Sequence, residues 1–427
     1  MKIKSKFYLA LVIFSLIGQV AWVVENMYFN VFIYKMFNAS TTDISLMVSL
    51  SAVTATVTTL LIGALSDKIG KRKIFICGGY IVWGITILSF ALIRLDVINA
   101  IFPAVVSAQS ICISLVIIMD CVMTFFGSSA NDACFNAWLT ESVDSAERGK
   151  AEGINSMMPL VAILVVFGGF MGFNLDLAKS WTVIFIVIGI VVVLIGVSGI
   201  FLIKDSSVIC QENSNYFKNI FYGFRPSVVK ENAKLYLYLI AFAIFGIAIQ
   251  IFMPYLILYY EVSLEMSNYV LIMAPAIILA AVFTFFYGRF YDKVGFEKSS
   301  IISVLILILG FLILFLFKNT ALVFIGSLLM MCGYLAGMSV FGAVIRDNIP
   351  ENKAGMFQGL RIIGQVLIPG VIGPWIGKLV LSNAKQIVNN DGTKSFIPNE
   401  YIFLAALVVA VLVLVFIFVI NKKLKKK

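Results

Sequence analysis

The sequence predicts an all-α membrane protein with twelve transmembrane helices in two pseudo-symmetric six-helix halves. Three observations lead there: long stretches free of charge, two loop phrases that recur in order, and basic residues gathered on one side of the implied bilayer. Of the 427 residues, 61% are hydrophobic and 13% charged, against about 25% charged in a soluble domain.

The charge-free runs are 44–66, 74–93, 97–119, 153–175, 180–203, 235–260, 266–288, 299–317, 319–345 and 401–421. Crossing a bilayer core takes about 20 apolar residues, and a soluble core has no use for ten such runs. Two further spans are each interrupted by one charge. The first, near 7–36, contains Glu25, and the eleventh, near 356–377, contains Arg361.

Twelve spans put both chain ends on one side. The loops there (1–6, 67–73, 140–150, 204–234, 289–298, 346–355 and 422–427) hold 24 of the 32 Lys and Arg. Short cytoplasmic loops carry such an excess. A multi-pass protein of the cell (inner or plasma) membrane with both termini cytoplasmic is expected. The net charge of +10 is then a topology signal and not a nucleic-acid surface. The tail NKKLKKK suits anionic headgroups. The first apolar stretch is too long for a cleavable signal peptide and lacks a small-residue cleavage site.

The chain has no histidine, which excludes Ser-His-Asp triads and HExxH metal sites. Cys77, Cys112, Cys121, Cys134, Cys210 and Cys332 form no CxxC pair, and all but Cys210 lie within the implied spans. They read as small buried hydrophobes. GxxxxGK[ST] is absent, which disfavours ATP as a driving force. No enzyme activity, cofactor or metal is expected, and a monomer is.

GALSDKIGKRK (63–73) returns as GRFYDKVGFEK (288–298). Gly63, Asp67, Lys68, Gly70 and Lys73 match Gly288, Asp292, Lys293, Gly295 and Lys298 at an offset of 225. ERGKAEG (147–153) and KAGMFQG (353–359) match at an offset of 206. The expected organisation is an N-terminal half (1–203), a linker loop (204–233) and a C-terminal half (234–427) with a basic tail. The offsets differ by 19, so the first half has extra residues near 95–114. They either lengthen helices three and four or form an interfacial segment.

The pattern Gly63-x-Leu65-x-Asp67-x-x-Gly70-x-Arg72 between helices two and three resembles the signature loop of the major facilitator superfamily. A degenerate copy in the second half is also that family's habit. The resemblance covers the whole chain and implies a transporter working by alternating access. ENMYFNVFIYKMF (25–37) is similar to relatives in the sugar–cation symporter branch. Helix two lacks the aspartates which that branch keeps there, which favours the proton over sodium. Asp67 and Asp292, each at a helix end beside basic residues, read as a charge latch with Gly70 and Arg72. Gly63 and Gly288 permit close helix approach.

Ionisable groups inside a bilayer cost about 2.5–3.5 kcal/mol each on insertion scales, so the few present are informative. Asp120, Thr124, Ser128, Asp132 and Asn136 recur every fourth residue along helix four, placed near 114–140. Gln19, Trp22, Asn26 and Asn30 make a second stripe on helix one, with Glu25 at its flank. Helix seven offers Gln250, Tyr255 and Tyr259 near Pro254, and helix eleven offers Gln358, Arg361 and Gln365.

Transporter sites sit near the midplane at the repeat interface, and a carboxylate there can carry a proton instead of a charge. Glu25, Asp120 and Asp132 are the expected coupling residues, Glu25 and Asp132 foremost. Gln19, Trp22, Asn26, Asn30, Ser128, Asn136, Gln250, Tyr255, Tyr259, Arg361 and Gln365 are the expected solute contacts. Asp132 can equally cap or salt-bridge helix four, Glu25 can hydrogen-bond a neighbouring helix, and Arg361 can pair with an acid. The expected function is secondary transport of a small solute, proton-coupled, with a sugar or glycoside as the leading substrate class. Drug or metabolite efflux, or a non-transporting membrane receptor or lipid-handling protein on the same scaffold, is the alternative.

Overall fold

Apolar runs of this length form helices because a bilayer offers no partner to an unpaired backbone N–H or C=O. The computed structural model describes residues 2–103, 107–143, 148–205, 222–266, 268–349, 360–389 and 393–425. The apolar helices are α1 (Lys6–Phe37), α2 (Thr41–Ile69), α3 (Arg72–Leu92), α4 (Ala108–Leu139), α5 (Arg148–Phe170), α6 (Ala178–Leu202) and α7 (Ala233–Ser263). Val270–Leu316 is one run of 47 residues broken at Gly295 into α8 (270–294) and α9 (296–316). Then follow α10 (Thr320–Asn348), α11 (Leu360–Asn383) and α12 (Tyr401–Lys422). A two-stranded hairpin, Gln386–Val388 with Lys394–Phe396, joins α11 to α12.

Contacts gather the chain into two compact units, Met1–Phe217 and Lys218–Lys427. In the first, α3 and α6 approach closely because small residues face each other. A Cβ on Gly84 would meet the Gly189 carbonyl at 2.7 Å, and one on Gly196 would meet the Ile81 backbone nitrogen at 2.8 Å. α1 lies against α5 through a hydrogen bond from Ser15 to Asn155. The α6 face bearing Val187, Ile190, Leu194 and Phe201 is exposed, as a lipid-facing surface should be.

The second unit repeats the device with different glycines. Gly310 and Gly333 bring α9 and α10 together, and Gly373 and Gly377 press α11 onto Gln250 and Tyr255 of α7.

Helix ends follow local chemistry. Ser40 caps α2 in a reciprocal box with Asp43. Gly70, with φ of 69°, ends α2, and Gly295, with φ of 75° and ψ of −179°, separates α8 from α9. These are the two copies of one motif glycine, and both sit where a side chain would be strained.

The surplus of the first half is also visible. α3 and α4 are joined through the short helix Leu95–Ile101, while α9 and α10 are joined by three residues, Phe317 to Asn319. α4 begins at Ala108 and not near 114. The extra segment thus does both things left open by the sequence: it lengthens α4 and adds a short helix outside the spans.

Candidate functional site

Glu25 is the centre of the polar cluster in the N-terminal unit. Its Oε1 accepts hydrogen bonds from Ser51 Oγ of α2 at 2.7 Å and Thr124 Oγ1 of α4 at 2.9 Å. The two hydroxyls lie 2.9 Å apart. Three helices therefore converge on one carboxyl oxygen. Oε2 is buried and has no hydrogen-bond partner among the described residues, and the same holds for Asp120 Oδ1. Glu25 interacts electrostatically with both Asp120 and Asp132. Ser128 Oγ donates to Asp132 Oδ2 at 2.9 Å. The Trp22 indole adjoins Asp132 without a well-formed hydrogen bond from Nε1.

Backbone geometry explains how these side chains converge. Val24–Tyr28 in α1 and Ser128–Phe135 in α4 are π-helical. A residue every fourth position drifts about 40° per step around an ordinary α-helix, so the α4 stripe could not stay on one face of a straight helix. The wider π turn rotates it back. Side chains four residues on bond the carbonyls at these turns: Asn26 to Trp22 O, Asn30 to Asn26 O, Ser129 to Phe125 O and Asn136 to Asp132 O. Burial along the stripe is graded. Asp120, Thr124 and Ser128 are buried, Asp132 is intermediate and Asn136 is exposed.

On α1, Asn30 is wholly buried while Gln19 and Trp22 are half-buried and Asn26 is exposed. Trp22 packs on Trp83, ring centroids 5.1 Å apart, both against Gly127. Tyr80 closes the back of the cluster: it donates to Phe14 O at 2.8 Å and accepts from Asn131 Nδ2 at 2.6 Å.

In the C-terminal unit, two further π segments, Tyr259–Ser263 and Ile363–Leu367, carry Tyr259 and Gln365. The four π segments among the described residues thus each hold a residue nominated from sequence. Arg361 Nε donates to Gln365 Oε1 at 3.3 Å, which pairs the two on α11 through spacing of four. Gln250 is half-buried against Gly373. Tyr255 and Tyr259 are both 0% exposed, Tyr259 against Tyr260 and Phe403, and Tyr255 against Phe396.

At the α2–α3 turn, the Asp67 side chain lies outside the described residues. Arg72 is 3% exposed. It pairs with Glu141 at the end of α4, Nη2 to Oε1 at 2.7 Å, and donates to Ser66 Oγ. Asp205 caps α3 by accepting from the Lys73 N–H at 2.8 Å. Asp292 is exposed. Among the described residues, a Cβ on Gly63 would make only ordinary contact, at 3.8 Å with Ala133, and one on Gly288 would meet nothing within 4 Å. Gln358 and the 353–359 phrase lie outside the described residues.

Sequence reasoning missed Ser51 and Glu141. α2 carries hydroxyls at Ser45, Ser49, Ser51, Thr54, Thr56, Thr58 and Thr59, and only the tertiary contact singles out one of them. Glu141 lies 69 positions from Arg72, and again only the tertiary contact joins them.

Among the described residues, twelve apolar helical segments fall in two units, the architecture of a multi-pass membrane protein. The sequence matches the profile of the Major Facilitator Superfamily over residues 8–374 and again over 271–427. The chain belongs to that family. Among solved structures it is similar to a bacterial homolog of the human lysosomal transporter Spinster, at TM-score 0.74 and 15% identity, covering 99% of this chain and 98% of that one. It is similar to the nucleoside transporter NupG, at TM-score 0.67 and 15% identity, covering 99% and 100%. It is also similar to the xylose transporter XylE from E. coli, at TM-score 0.69 and 15% identity, covering 98% and 99%. At these identities the likeness establishes the fold. No curated protein sequence matches the chain.

Proposed function

We propose that this protein is a proton-coupled secondary transporter of a small polar solute, working by alternating access, with Glu25 as the group that takes up and releases the proton. One observation carries the reading. The Glu25 carboxyl has one oxygen held by two hydroxyls from two other helices and a second, buried oxygen with no partner among the described residues. An uncompensated carboxylate in that position costs several kcal/mol. A proton on Oε2 removes the charge and leaves both hydroxyl contacts in place. Loss of that proton recharges a point where α1, α2 and α4 meet, and so couples protonation to helix packing.

Asp132, beside Trp22 and at the more exposed end of the α4 stripe, is the proposed exchange group. Asp120 is the buried electrostatic partner of Glu25. Gln19, Trp22, Asn26, Gln250, Arg361 and Gln365 are the proposed solute contacts. Amides, a guanidinium and an indole suit a hydroxyl-rich solute, and a sugar or glycoside is the proposed substrate class. The proposed orientation places both termini in the cytoplasm, from the distribution of Lys and Arg.

The test is uptake into vesicles under an imposed pH gradient, screened over monosaccharides, glycosides and nucleosides. Accumulation of one of these that collapses in Glu25→Gln supports the reading. Accumulation that survives Glu25→Gln and Asp132→Asn with the same response to pH refutes it.

A further inference from the structure

α1 does not stay a regular α-helix past Glu25. The Phe29 N–H reaches back five residues, to Val24 O, and Val24–Tyr28 forms a wide π turn. Such turns are rare inside α-helices, and a side chain inserted into the hydrogen-bond ladder is one cause of them. Two asparagines do this here. Asn26 Nδ2 donates to Trp22 O at 2.8 Å, just before the turn, and Asn30 Nδ2 donates to Asn26 O at 3.1 Å, inside it. A side chain bonded to the carbonyl four residues back loosens the α pattern at that point. Glu25 lies between the two clamped carbonyls, and its Oε1 meets Ser51 and Thr124.

Asn30 is the more telling of the pair. It is 0% exposed, and its Oδ1 has no hydrogen-bond partner among the described residues. A leucine would fill the same volume without leaving a buried acceptor unpartnered. What the amide adds is its donor. The second repeat supplies a control. At the offset of 225, α7 has Gln250 in place of Glu25, Ile251 in place of Asn26 and Tyr255 in place of Asn30. Its backbone there is α-helical to Phe252 and then tightens into a 3₁₀ turn, Met253–Tyr255, at Pro254. The acid, the two amides and the wide turn occur together in one copy and are missing together at the matching positions of the other. α4 repeats the association. Its π segment Ser128–Phe135 carries Asp132, with Ser129 donating to Phe125 O at 2.6 Å near its start and Asn136 to Asp132 O at 3.2 Å near its end.

We infer that Asn30 is a positioning residue for the proton site: its amide holds the Val24–Tyr28 turn open, and the open turn presents Glu25 to Ser51 and Thr124 together. The inference rests on the proposed role of Glu25. The titratable groups that act on Glu25 are Asp120, Cys121 and Asp132 of α4. α2 meets it with Ser51, α3 brings Tyr80 to Asp132, and α5 from Ile154 and α6 from Ser180 carry no ionisable side chain. Asn30 Nδ2 bonds a backbone carbonyl and none of these groups, so its loss reaches Glu25 through the turn.

Infrared pH titration of the full chain in detergent tests this without any solute. The carboxylic C=O band that Glu25→Gln removes is the Glu25 band. Asn30→Leu keeps the volume and loses the donor. Asn30→Ser loses volume and keeps a hydroxyl able to bond the carbonyl four residues back, as Ser129 does. Asn30→Leu should move the midpoint of the Glu25 band by about half a pH unit or more, the scale of one hydrogen bond, while Asn30→Ser leaves it in place. A role in packing alone predicts the reverse order and overturns the proposal. If Asn30→Leu yields no folded protein, Asn30→Ala takes its place with the same two outcomes. A Glu25 band that titrates yet ignores the loss of the donor overturns this inference alone. A Glu25→Gln spectrum that matches the unaltered chain at every pH overturns it together with the proton role on which it rests.

Discussion

Arg72 and Glu141 are 69 positions apart in sequence and meet in a two-point ion pair, Nη2 to Oε1 at 2.7 Å and Nε to Oε2 at 3.3 Å. The pair ties the start of α3 to the end of α4, while Nη1 reaches back to Ser66 at the end of α2. At the repeat offsets, the C-terminal unit has Glu297 in place of Arg72, Asp347 in place of Glu141 and Tyr291 in place of Ser66. There Tyr291 donates to Asp347 at 2.7 Å. The two units share a design and close this corner with different chemistry.

Removing one partner of a buried pair strands the other, at about 3–5 kcal/mol. Glu141 is 27% exposed, so Arg72→Ala should sit at the low end of that range. Thermal unfolding in detergent should show a clear fall in Tm for Arg72→Ala. Glu141→Gln should cost less, because the amide still accepts one hydrogen bond. Equal stability of Arg72→Ala and the unaltered chain would remove the clasp.

The two motif glycines should differ in tolerance. Gly70 at φ 69° and ψ 17° is in the left-handed region, where an L-residue costs about 1–2 kcal/mol. Gly295, at φ 75° and ψ −179°, is in a region open to glycine almost alone, where strain runs about 1–3 kcal/mol. Gly295→Ala should therefore lower Tm more than Gly70→Ala, measured under the same detergent conditions.

Tyr255 and Tyr259 should be silent in transport if they are packing residues. Tyr259→Phe loses only a long hydrogen bond of 3.5 Å to Leu314 O, worth well under the about 1 kcal/mol of an ordinary one. Uptake by Tyr259→Phe should match the unaltered protein within about twofold, as judged by the scale of about 1.4 kcal/mol per tenfold. A tenfold rise in half-saturating solute concentration would return Tyr259 to the site.

Ser51 gives a sharper probe of the cluster. Ser51→Ala removes one of two donors to Glu25 Oε1 and leaves Thr124. Ser51→Thr keeps the hydroxyl. The pH profile of uptake should move in the alanine variant and be restored in the threonine variant, a response that a purely structural role would not produce.

The fold was legible because bilayer crossing imposes length and charge rules on every span. The motif repeat was legible because Gly70 and Gly295 both stand where φ is positive, which keeps the glycine in each copy. Glu25 and Asp132 stood out because acids in a span are costly. Ser51 did not, since a hydroxyl inside a helix usually bonds its own backbone, as Thr56 does to Ala52 O. The α4 stripe is evenly spaced in sequence, whereas its burial is graded from Asp120 to exposed Asn136. The π segment that realigns its later part has no periodic signature in sequence. Tyr255 and Tyr259 were legible as polar aromatics on helix seven, but their full burial was not, because spacing alone does not say which face of a helix is packed.

The most direct test sets accumulation against exchange in one preparation. Vesicles holding Glu25→Gln should still swap labelled for unlabelled solute across the membrane, because the neutral amide mimics the protonated carboxyl, yet fail to concentrate it under an imposed pH gradient. Undiminished concentration in those vesicles would contradict the assignment of the proton to Glu25.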